Sequence, residues 1–202
     1  MAVLLCSKRV AGKSLTRTMV YIPVLMSALV VGITINWMFS QEYGLVNFII
    51  RSLGGTALEW SLNPRLATFV IAFASVWASI GFNMILYIGG INSISNDLYE
   101  AATIDGASGV QAFFRITVPM LAPTTFMVVL LSTVNLLKEY ALVQGITQGG
   151  PGTATMTLVY YIYNVAFVNT PKYGYASAIS MVLFVLVLIV TIIQFRGSKG
   201  EN

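Results

Sequence analysis

Four long apolar runs without a charged residue constrain the fold of this chain more than any other feature of its sequence. They cover residues 19–39, 66–90, 118–137 and 174–195. A helix needs about 20 predominantly apolar residues to cross the hydrocarbon core of a bilayer. Each run meets that length, and a helix satisfies its own backbone hydrogen bonds inside lipid. The sequence therefore predicts an all-α polytopic membrane helical bundle with about four transmembrane helices.

The composition agrees with a membrane protein and excludes several other classes. Hydrophobic residues make up 57% of the 202 residues and charged residues 9%, whereas soluble domains carry about 25% charged residues. The chain has no histidine and a single cysteine, Cys6, which excludes histidine-ligated metal sites, histidine-dependent triads and an internal disulfide. We expect no metal, no cofactor bound by this chain and no enzymatic activity. The net charge of +4 is too modest to indicate nucleic-acid binding.

The basic residues predict the orientation of the spans, because cytoplasmic loops of membrane proteins carry an excess of lysine and arginine. Those near the chain ends are Lys8, Arg9, Lys13, Arg17, Arg196 and Lys199. Both termini are therefore expected in the cytoplasm, together with the loop 91–117. This loop contains Asp97, Glu100 and Asp105, and its one basic residue is Arg115. An acidic cytoplasmic loop suggests contact with a protein, and an ordinary polar loop is the alternative.

The stretch YEAATIDGASGVQAFFRITVPMLAP, which joins the second and third runs, reads as a short helix, a turn and a second short helix. Ser95 or Asn96 can cap the first helix. Gly106 and Gly109 interrupt it and permit a sharp bend. The second helix is expected at 110–115. The resulting elbow has no room for an active site and is predicted to be a docking surface.

The same stretch carries a specific motif, in which E-A-A, three residues and a glycine are followed after nine residues by I-x-L-P. The motif residues here are Glu100, Ala101, Ala102, Gly106, Ile116 and Pro119, with Val118 at the leucine position. This motif resembles the cytoplasmic coupling motif of ABC importer permeases. Three further segments, at 22–47, 147–167 and 173–194, resemble the sugar-uptake members of that family, akin to maltose and glycerol-phosphate importer permeases. Such permeases usually have six spans, and this chain resembles the last four.

The resemblance implies a single transmembrane permease domain over residues 1–202 in the cell membrane of a prokaryote. The partners it implies are a second permease subunit, two cytoplasmic ATPase subunits that bind the ATP, an extracytoplasmic solute-binding protein, a sugar-like solute and membrane lipid. The residues expected to couple to the ATPase are Glu100, Ala101, Ala102, Asp105, Gly106, Ala107, Ile116 and Pro119.

Glu100 is expected to contribute most to coupling, since an exposed carboxylate can accept charge-assisted hydrogen bonds from basic or amide groups of a partner. The alternative is that Glu100 only caps its own helix. Asp105 could contact the partner or satisfy backbone groups of its turn. Ala101 and Ala102 are small enough for the helix to enter a cleft, and Gly106 permits the bend.

Polar residues inside the spans are candidates for the solute path, because such groups are costly in lipid and usually face the protein interior. The candidates are Asn83, beside Gly81, in the second span and Ser132 and Asn135 in the third, with Glu139 just beyond the end of the third span. One helical turn separates Ser132 from Asn135 and Asn135 from Glu139, so a continuous helix would place all three on one face. Amides and carboxylates bind sugar hydroxyls well. The alternative is that these groups hydrogen-bond between helices.

Three segments are predicted to lie outside the spans, and one of them, 153–168, reads as a short apolar helix near the outer surface that does not cross the membrane. Residues 40–65 read as a short interfacial helix and a turn, with Trp37 and Trp60 as interface anchors. The loop 146–155 (ITQGGPGTAT) reads as flexible. The resemblance implies that this loop faces the binding protein or gates the pore, and a plain connecting turn is the alternative.

Two competing interpretations of the whole chain stay open at the level of sequence. A secondary transporter would be expected to carry ionisable residues inside its spans for ion coupling, and the four runs contain none. A non-functional truncated permease fragment is the second alternative, because the chain resembles four of the family's usual six spans. An upstream reading frame that encodes two more spans would support this second interpretation.

Overall fold

The computed structural model describes residues 13–168 and 170–198, and this part of the chain is helical without a strand. The predicted all-α fold is therefore confirmed. The helices are α1 Lys13–Leu25, α2 Ala28–Met38, α3 Leu45–Ser52, α4 Pro64–Asn92, α5 Asn96–Ile104, α6 Gly109–Ala112, α7 Val118–Met120, α8 Ala122–Leu137, α9 Ala141–Ile146, α10 Leu158–Tyr163 and α11 Tyr173–Ser198, with π-helical turns π1 Phe113–Thr117 and π2 Asn164–Val168.

Two of these helices, α4 and α11, are each long and apolar enough to cross a membrane. Two broken pairs reach the same length when each is taken together, namely α1 with α2 and the segment Gly109–Met120 with α8. The described residues thus contain between two and four candidate spans. Lys8, Arg9 and Lys199, on which the predicted orientation partly depends, lie outside the described residues.

The first predicted span, 19–39, is divided between α1 and α2. Ser27 separates the two helices because its backbone is extended, with φ −59° and ψ 134°. Helical bonding resumes where the Val31 N–H donates to the Ser27 carbonyl at 3.0 Å.

The third predicted span, 118–137, contains a bend of 59° between Gly109–Met120 and α8. Pro123 explains the bend, because it has no N–H to donate to the Pro119 carbonyl and its ring would clash with that carbonyl in a straight helix.

The chain forms two compact units. Of the described residues, the first unit comprises those up to Val24 together with Ser79–Ser132, and the second comprises Leu25–Ala78 together with those from Thr133 onward. Helices α4 and α8 contribute to both units. The predicted single permease domain stays a prediction.

The core of the second unit forms around aromatic and branched side chains. Its buried members are Val31, Ile35, Phe39, Trp60, Val70, Ala74, Leu142 and Ile146. The Trp60 ring packs edge-on against Phe39, with 5.0 Å between ring centroids. Trp60 is only 8% exposed, so its predicted role as an interface anchor is wrong. Trp37, in contrast, is 64% exposed.

A glycine pair lets α2 and α9 pack closely in the same unit. A Cβ added to Gly145 would lie 2.9 Å from the Gly32 Cα and 2.9 Å from the Leu29 carbonyl oxygen. The Asn36 amide, one turn beyond Gly32, donates to the Ile146 carbonyl. Close backbone approach and a polar link therefore hold the short helix α9 against α2.

Candidate functional site

The elbow predicted to couple to a partner begins with a capped helix in the first unit. The Ser95 hydroxyl accepts a hydrogen bond from the Asp97 N–H at 3.3 Å, and Asp97 lies in the first turn of α5. A carboxylate there is favoured by the helix dipole. Glu100 is exposed, and among the described residues none forms a hydrogen bond or ion pair with its carboxylate. Ser95, and not Glu100, caps α5, which leaves Glu100 available to a partner.

Helix α5 ends in a Schellman motif centred on Gly106. The Ala107 N–H donates to the Ala102 carbonyl at 2.8 Å and the Gly106 N–H to the Thr103 carbonyl at 3.1 Å, which satisfies two terminal carbonyls of the helix. Gly106 has φ +76°, a conformation that residues with a Cβ rarely adopt. The backbone of the turn satisfies itself here, so the exposed Asp105 side chain is not needed for that purpose.

A second cap opens the other half of the elbow. The Ser108 hydroxyl accepts from the Gln111 N–H at 3.3 Å, and the Gln111 side-chain oxygen accepts from the Ser108 N–H at 2.8 Å. This capping box starts α6, so Gly109 lies inside a helix and does not interrupt one. The predicted second helix at 110–115 is likewise corrected, because α6 ends at Ala112 and continues as π1.

One contact joins the two halves of the elbow. The Tyr99 hydroxyl lies 2.8 Å from the Thr117 hydroxyl oxygen, and Thr117 is buried. Tyr99 belongs to α5 and Thr117 ends π1. The hydrogen bond links α5 to the segment that leads into α7 and α8.

The elbow exposes apolar side chains between its acids. The large ones are Leu98, Ile104, Val110 and Phe114, and Ile104 is 86% exposed. Of the other predicted coupling residues, Ala101 and Pro119 are exposed, whereas Ala102, Ala107 and Ile116 are half-buried. Exposed apolar side chains in the same short segment as exposed acidic groups are typical of a protein interface.

Gly81 and Asn83, predicted for the solute path, lie on α4 in the first unit. A Cβ on Gly81 would lie 2.7 Å from the Val20 carbonyl oxygen and 2.8 Å from a Val24 methyl. The backbone of α1 thus fills the space beside Gly81, which indicates close helix packing at this position. Asn83 is half-buried.

The predicted polar stripe on the third span is shorter than expected. Ser132 and Asn135 lie on α8, but α8 ends at Leu137, so Glu139 does not share their helical face. The Glu139 carboxylate accepts a hydrogen bond from the Leu142 N–H at 2.9 Å at the start of α9. Asn135 is exposed and Ser132 is half-buried.

Hydrogen bonds connect residues of the loop 146–155, which the sequence predicts to be flexible. The Thr147 and Thr155 hydroxyl oxygens lie 2.7 Å apart, and the Thr155 hydroxyl donates to the Gly150 carbonyl at 2.7 Å. Thr155 is buried. The Tyr160 ring covers Gly149, since a Cβ there would lie 3.0 Å from that ring. The loop is an organised element of the second unit.

A cluster of tyrosines that no local sequence pattern indicates lies beside this loop. The Tyr140 ring lies 4.9 Å from Tyr163 and 6.0 Å from Tyr160 between centroids. Burial raises the pKa of the Tyr140 phenol, and a hydrogen bond with Tyr163 raises it further. The phenol therefore stays protonated at neutral pH and can donate a hydrogen bond. A tyrosine-rich sequence was the signal available, but the pairing depends on the tertiary fold.

Comparisons with proteins of known identity place the chain in a family. It matches the family described as "Binding-protein-dependent transport system inner membrane component" over residues 1–197. It is 36% identical over 196 residues to the trehalose/maltose transport system permease protein MalF of Thermococcus litoralis. This match covers 97% of this chain and 66% of that protein. It is 32% identical over 206 residues to the lactose transport system permease protein LacF of Rhizobium radiobacter, covering 100% of this chain and 69% of that protein.

A third relative, the sn-glycerol-3-phosphate transport system permease protein UgpA of Agrobacterium fabrum, is 36% identical over 190 residues. This match covers 93% of the chain and 64% of that relative, and the chain spans about two thirds of the length of all three. A solved bacterial ABC transporter involved in the import of the acidic polysaccharide alginate shares the fold, with a TM-score of 0.85, 24% identity, and coverage of 98% of this chain and 70% of that one. The chain belongs to the family of inner-membrane components of binding-protein-dependent transport systems.

Proposed function

We propose that this chain is a transmembrane permease subunit of an ATP-binding-cassette importer, that it forms part of the path of a sugar or related solute, and that residues 100–119 couple it to a cytoplasmic ATPase. The family match supports the transport role. The relatives named for trehalose/maltose, lactose and sn-glycerol-3-phosphate support a sugar-like solute.

One observation supports the coupling proposal most strongly. Helix α5 is capped by other residues, and the exposed Glu100 carboxylate has no hydrogen-bond or ion-pair partner among the described residues. Ser95 and Gly106 close the two ends of α5 through their own hydrogen bonds. Glu100 is therefore not needed to hold the helix together. An exposed acid beside exposed apolar groups suits a cleft that offers basic or amide donors and an apolar floor.

The proposed mechanism is mechanical, and this chain performs no covalent step. ATP binding closes the ATPase dimer, and its clefts carry the elbow with them. The Tyr99–Thr117 hydrogen bond links α5 to π1, so a displacement of α5 is passed into the segment that continues as α7 and α8. Motion of these helices then opens the solute path to the outside.

The proposed assembly contains a second permease subunit, two cytoplasmic ATPase subunits and an extracytoplasmic solute-binding protein, in the cell membrane of a prokaryote. ATP is held by the ATPase subunits, so this chain needs no cofactor. Both termini and the elbow lie in the cytoplasm in this arrangement. Membrane lipid surrounds the outward faces of the candidate spans.

Asn135 is the proposed polar contact for the solute on α8, with Ser132 one turn earlier and Asn83 on α4. Asn135 is exposed within this chain, so its amide is free to bind hydroxyl groups. Gly81 and Glu139 contribute to the path by shaping it, since Gly81 admits the α1 backbone and Glu139 orders the start of α9.

Co-purification tests the coupling proposal. The chain is co-expressed with the neighbouring permease and the ATPase, and the complex is isolated in detergent. Glu100→Lys is expected to abolish ATPase retention because it reverses the charge offered to the cleft. Glu42→Lys makes the same charge change at another exposed acid and is the matched control. Unchanged retention with Glu100→Lys would contradict the proposal, and assembly only after addition of upstream spans would support the fragment alternative.

A further inference from the structure

We propose that helix α3 is a membrane-surface helix whose outward face, defined as Leu45, Phe48 and Ile49, lies among lipids at the boundary between headgroups and acyl chains. The proposal concerns a lipid surface and a segment that takes no part in the proposed coupling or solute path. It therefore does not depend on the identity of the solute or on the ATPase.

Helix α3 is apolar on two opposite faces. Val46 and Ile50 pack against the core of the second unit. Leu45, Phe48 and Ile49 point away from that core and are exposed, with Phe48 67% exposed. Exposed apolar side chains that lie together on a surface mark a site that a membrane or another protein covers. The protein covers one face of α3, and the outward face needs an apolar environment of another kind.

Asn47 prevents the outward face from turning into the protein. Its side chain is fully buried. The Asn47 amide donates to the Gln41 carbonyl at 3.0 Å and the Leu58 carbonyl at 2.9 Å. Its carbonyl oxygen accepts from the Leu58 N–H at 3.1 Å and from the Trp60 indole N–H at 2.9 Å. Rotation of α3 about its axis would break these bonds inside the core.

The position of α3 in the chain identifies lipid as the occupant. Helix α3 lies in the connector between α2 and α4, and α4 is a candidate membrane span. A connector that joins membrane helices lies at the edge of the bilayer. Exposed aromatic groups at Trp37 and Tyr43 lie next to α3 in sequence, as aromatic residues of the membrane–water interface do.

The charges of α3 agree with a lipid surface. Arg51 is exposed, is the one charged residue of α3, and follows the outward face in sequence. Its guanidinium donates to the Gln41 carbonyl at 3.3 Å and retains further N–H groups for a lipid phosphate. Amphipathic helices of this kind place their apolar face about 5–10 Å into the headgroup and acyl boundary.

Spin-label accessibility tests the proposal in the full chain. Cys6→Ser removes the native thiol, and Phe48→Cys then carries the single label in nanodiscs of phosphatidylethanolamine and phosphatidylglycerol. Glu59→Cys, at an exposed polar site of the same connector, serves as the water control. Phe184→Cys, at an exposed site of α11, serves as the lipid control. Collision rates with oxygen and with a nickel chelate are measured for each label, with and without the co-purified partner permease.

The proposal predicts that the label at residue 48 collides severalfold more with oxygen and severalfold less with the nickel chelate than the label at 59, at a depth between those of the labels at 59 and 184. A nickel collision rate equal to that at 59 would place the face in water and overturn the proposal. Loss of both oxygen and nickel collisions when the partner permease is present would show that a protein covers this face, and would equally overturn it.

Discussion

Single residues shape this chain through two effects, the hydrogen bonding of buried polar groups and backbone angles that glycine alone tolerates well. Asn47 represents the first effect, since a buried amide is stable only when its donors and acceptors find partners. Gly106 represents the second, because its φ of +76° disfavours any side chain. Both residues lie in connectors, where packing alone would leave the backbone free to vary.

Asn47→Leu is expected to destabilise the second unit by at least about 3 kcal/mol. The substitution leaves the buried Trp60 indole N–H without a partner, which costs about 1–3 kcal/mol. It also removes three part-buried hydrogen bonds to the Gln41 carbonyl and the Leu58 backbone, each worth about 0.5–1.5 kcal/mol. Thermal unfolding in detergent measures the effect. Asn92→Leu, at an exposed position on α4, is the control and should change the midpoint little. Equal midpoints for both variants would contradict the role given to Asn47.

Gly106→Ala and Gly109→Ala separate backbone conformation from packing. A Cβ at either position would meet no atom within 4 Å, but only Gly106 has a positive φ. Gly106→Ala is therefore expected to cost about 1–2 kcal/mol through the left-handed backbone alone. Gly109→Ala, in the first turn of α6, should be neutral or slightly stabilising. Thermal unfolding of both variants distinguishes them, and a larger loss for Gly109→Ala would refute the assignment.

At the scale of elements, capping interactions at the helix ends stabilise the short helices of this chain. Helix α5 has a serine cap and a glycine terminator, α6 has a capping box, and α9 begins under the Glu139 carboxylate. These short helices could not persist on propensity alone, since isolated helices below about 12 residues are marginal in water. Their caps and tertiary contacts hold them as rigid pieces that can transmit a displacement.

The contact between Tyr99 and Thr117 gives a prediction for the elbow as one element. Tyr99→Phe and Thr117→Val each remove one partner of the hydrogen bond, worth about 1 kcal/mol. A double-mutant cycle on unfolding stability should show that the two effects are not additive, with a coupling energy of about 1 kcal/mol. We expect the complex to form, but the ATPase stimulation by solute-loaded binding protein to fall in both variants. Additive stability effects would show that the hydroxyl groups do not interact.

Much of the elbow is predictable because its caps depend on residues that are close together in the sequence. The features that the sequence does not predict depend on contacts between residues that are far apart in it. Ser95 and Gly106 act within three residues of their partners, so their spacing in the sequence was enough. The Tyr99–Thr117 bond joins residues 18 apart across a turn, and no local pattern indicates it. The sequence predicts Trp60 at the membrane interface, but tryptophan is suited both to a membrane interface and to a protein core. Its burial depends on Phe39 and Asn47, which the fold brings to it.

The solute path was less predictable than the elbow for a physical reason. The stripe from Ser132 to Glu139 assumed a continuous helix, but α8 ends at Leu137. The backbone of α1 packs against Gly81, a contact that the sequence does not indicate. Whether a small or polar residue in a membrane helix meets a solute or another helix depends on its neighbours, and those are set by tertiary packing.

At the scale of the whole molecule, the proposed function requires both a docking elbow in the first unit and polar groups that bind the solute. Asn135→Leu is expected to raise the KM for solute uptake about 5–10-fold, since one hydrogen bond to a hydroxyl is worth about 1–1.5 kcal/mol. Uptake into proteoliposomes and thermal unfolding are measured together. A fall in stability without a change in KM would instead support a role of Asn135 in bonding between helices.

Photo-crosslinking from the elbow tests the central claim most directly. A photoreactive amino acid is placed at Ile104, which is 86% exposed in the elbow, or at Leu53, which is 83% exposed in the connector after α3. The two sites are matched in exposure and in apolar character. In the assembled importer, we expect a crosslink to the ATPase from residue 104 and none from residue 53. Absence of an ATPase crosslink at residue 104, or its appearance at residue 53, would refute the proposed docking of the elbow on the ATPase.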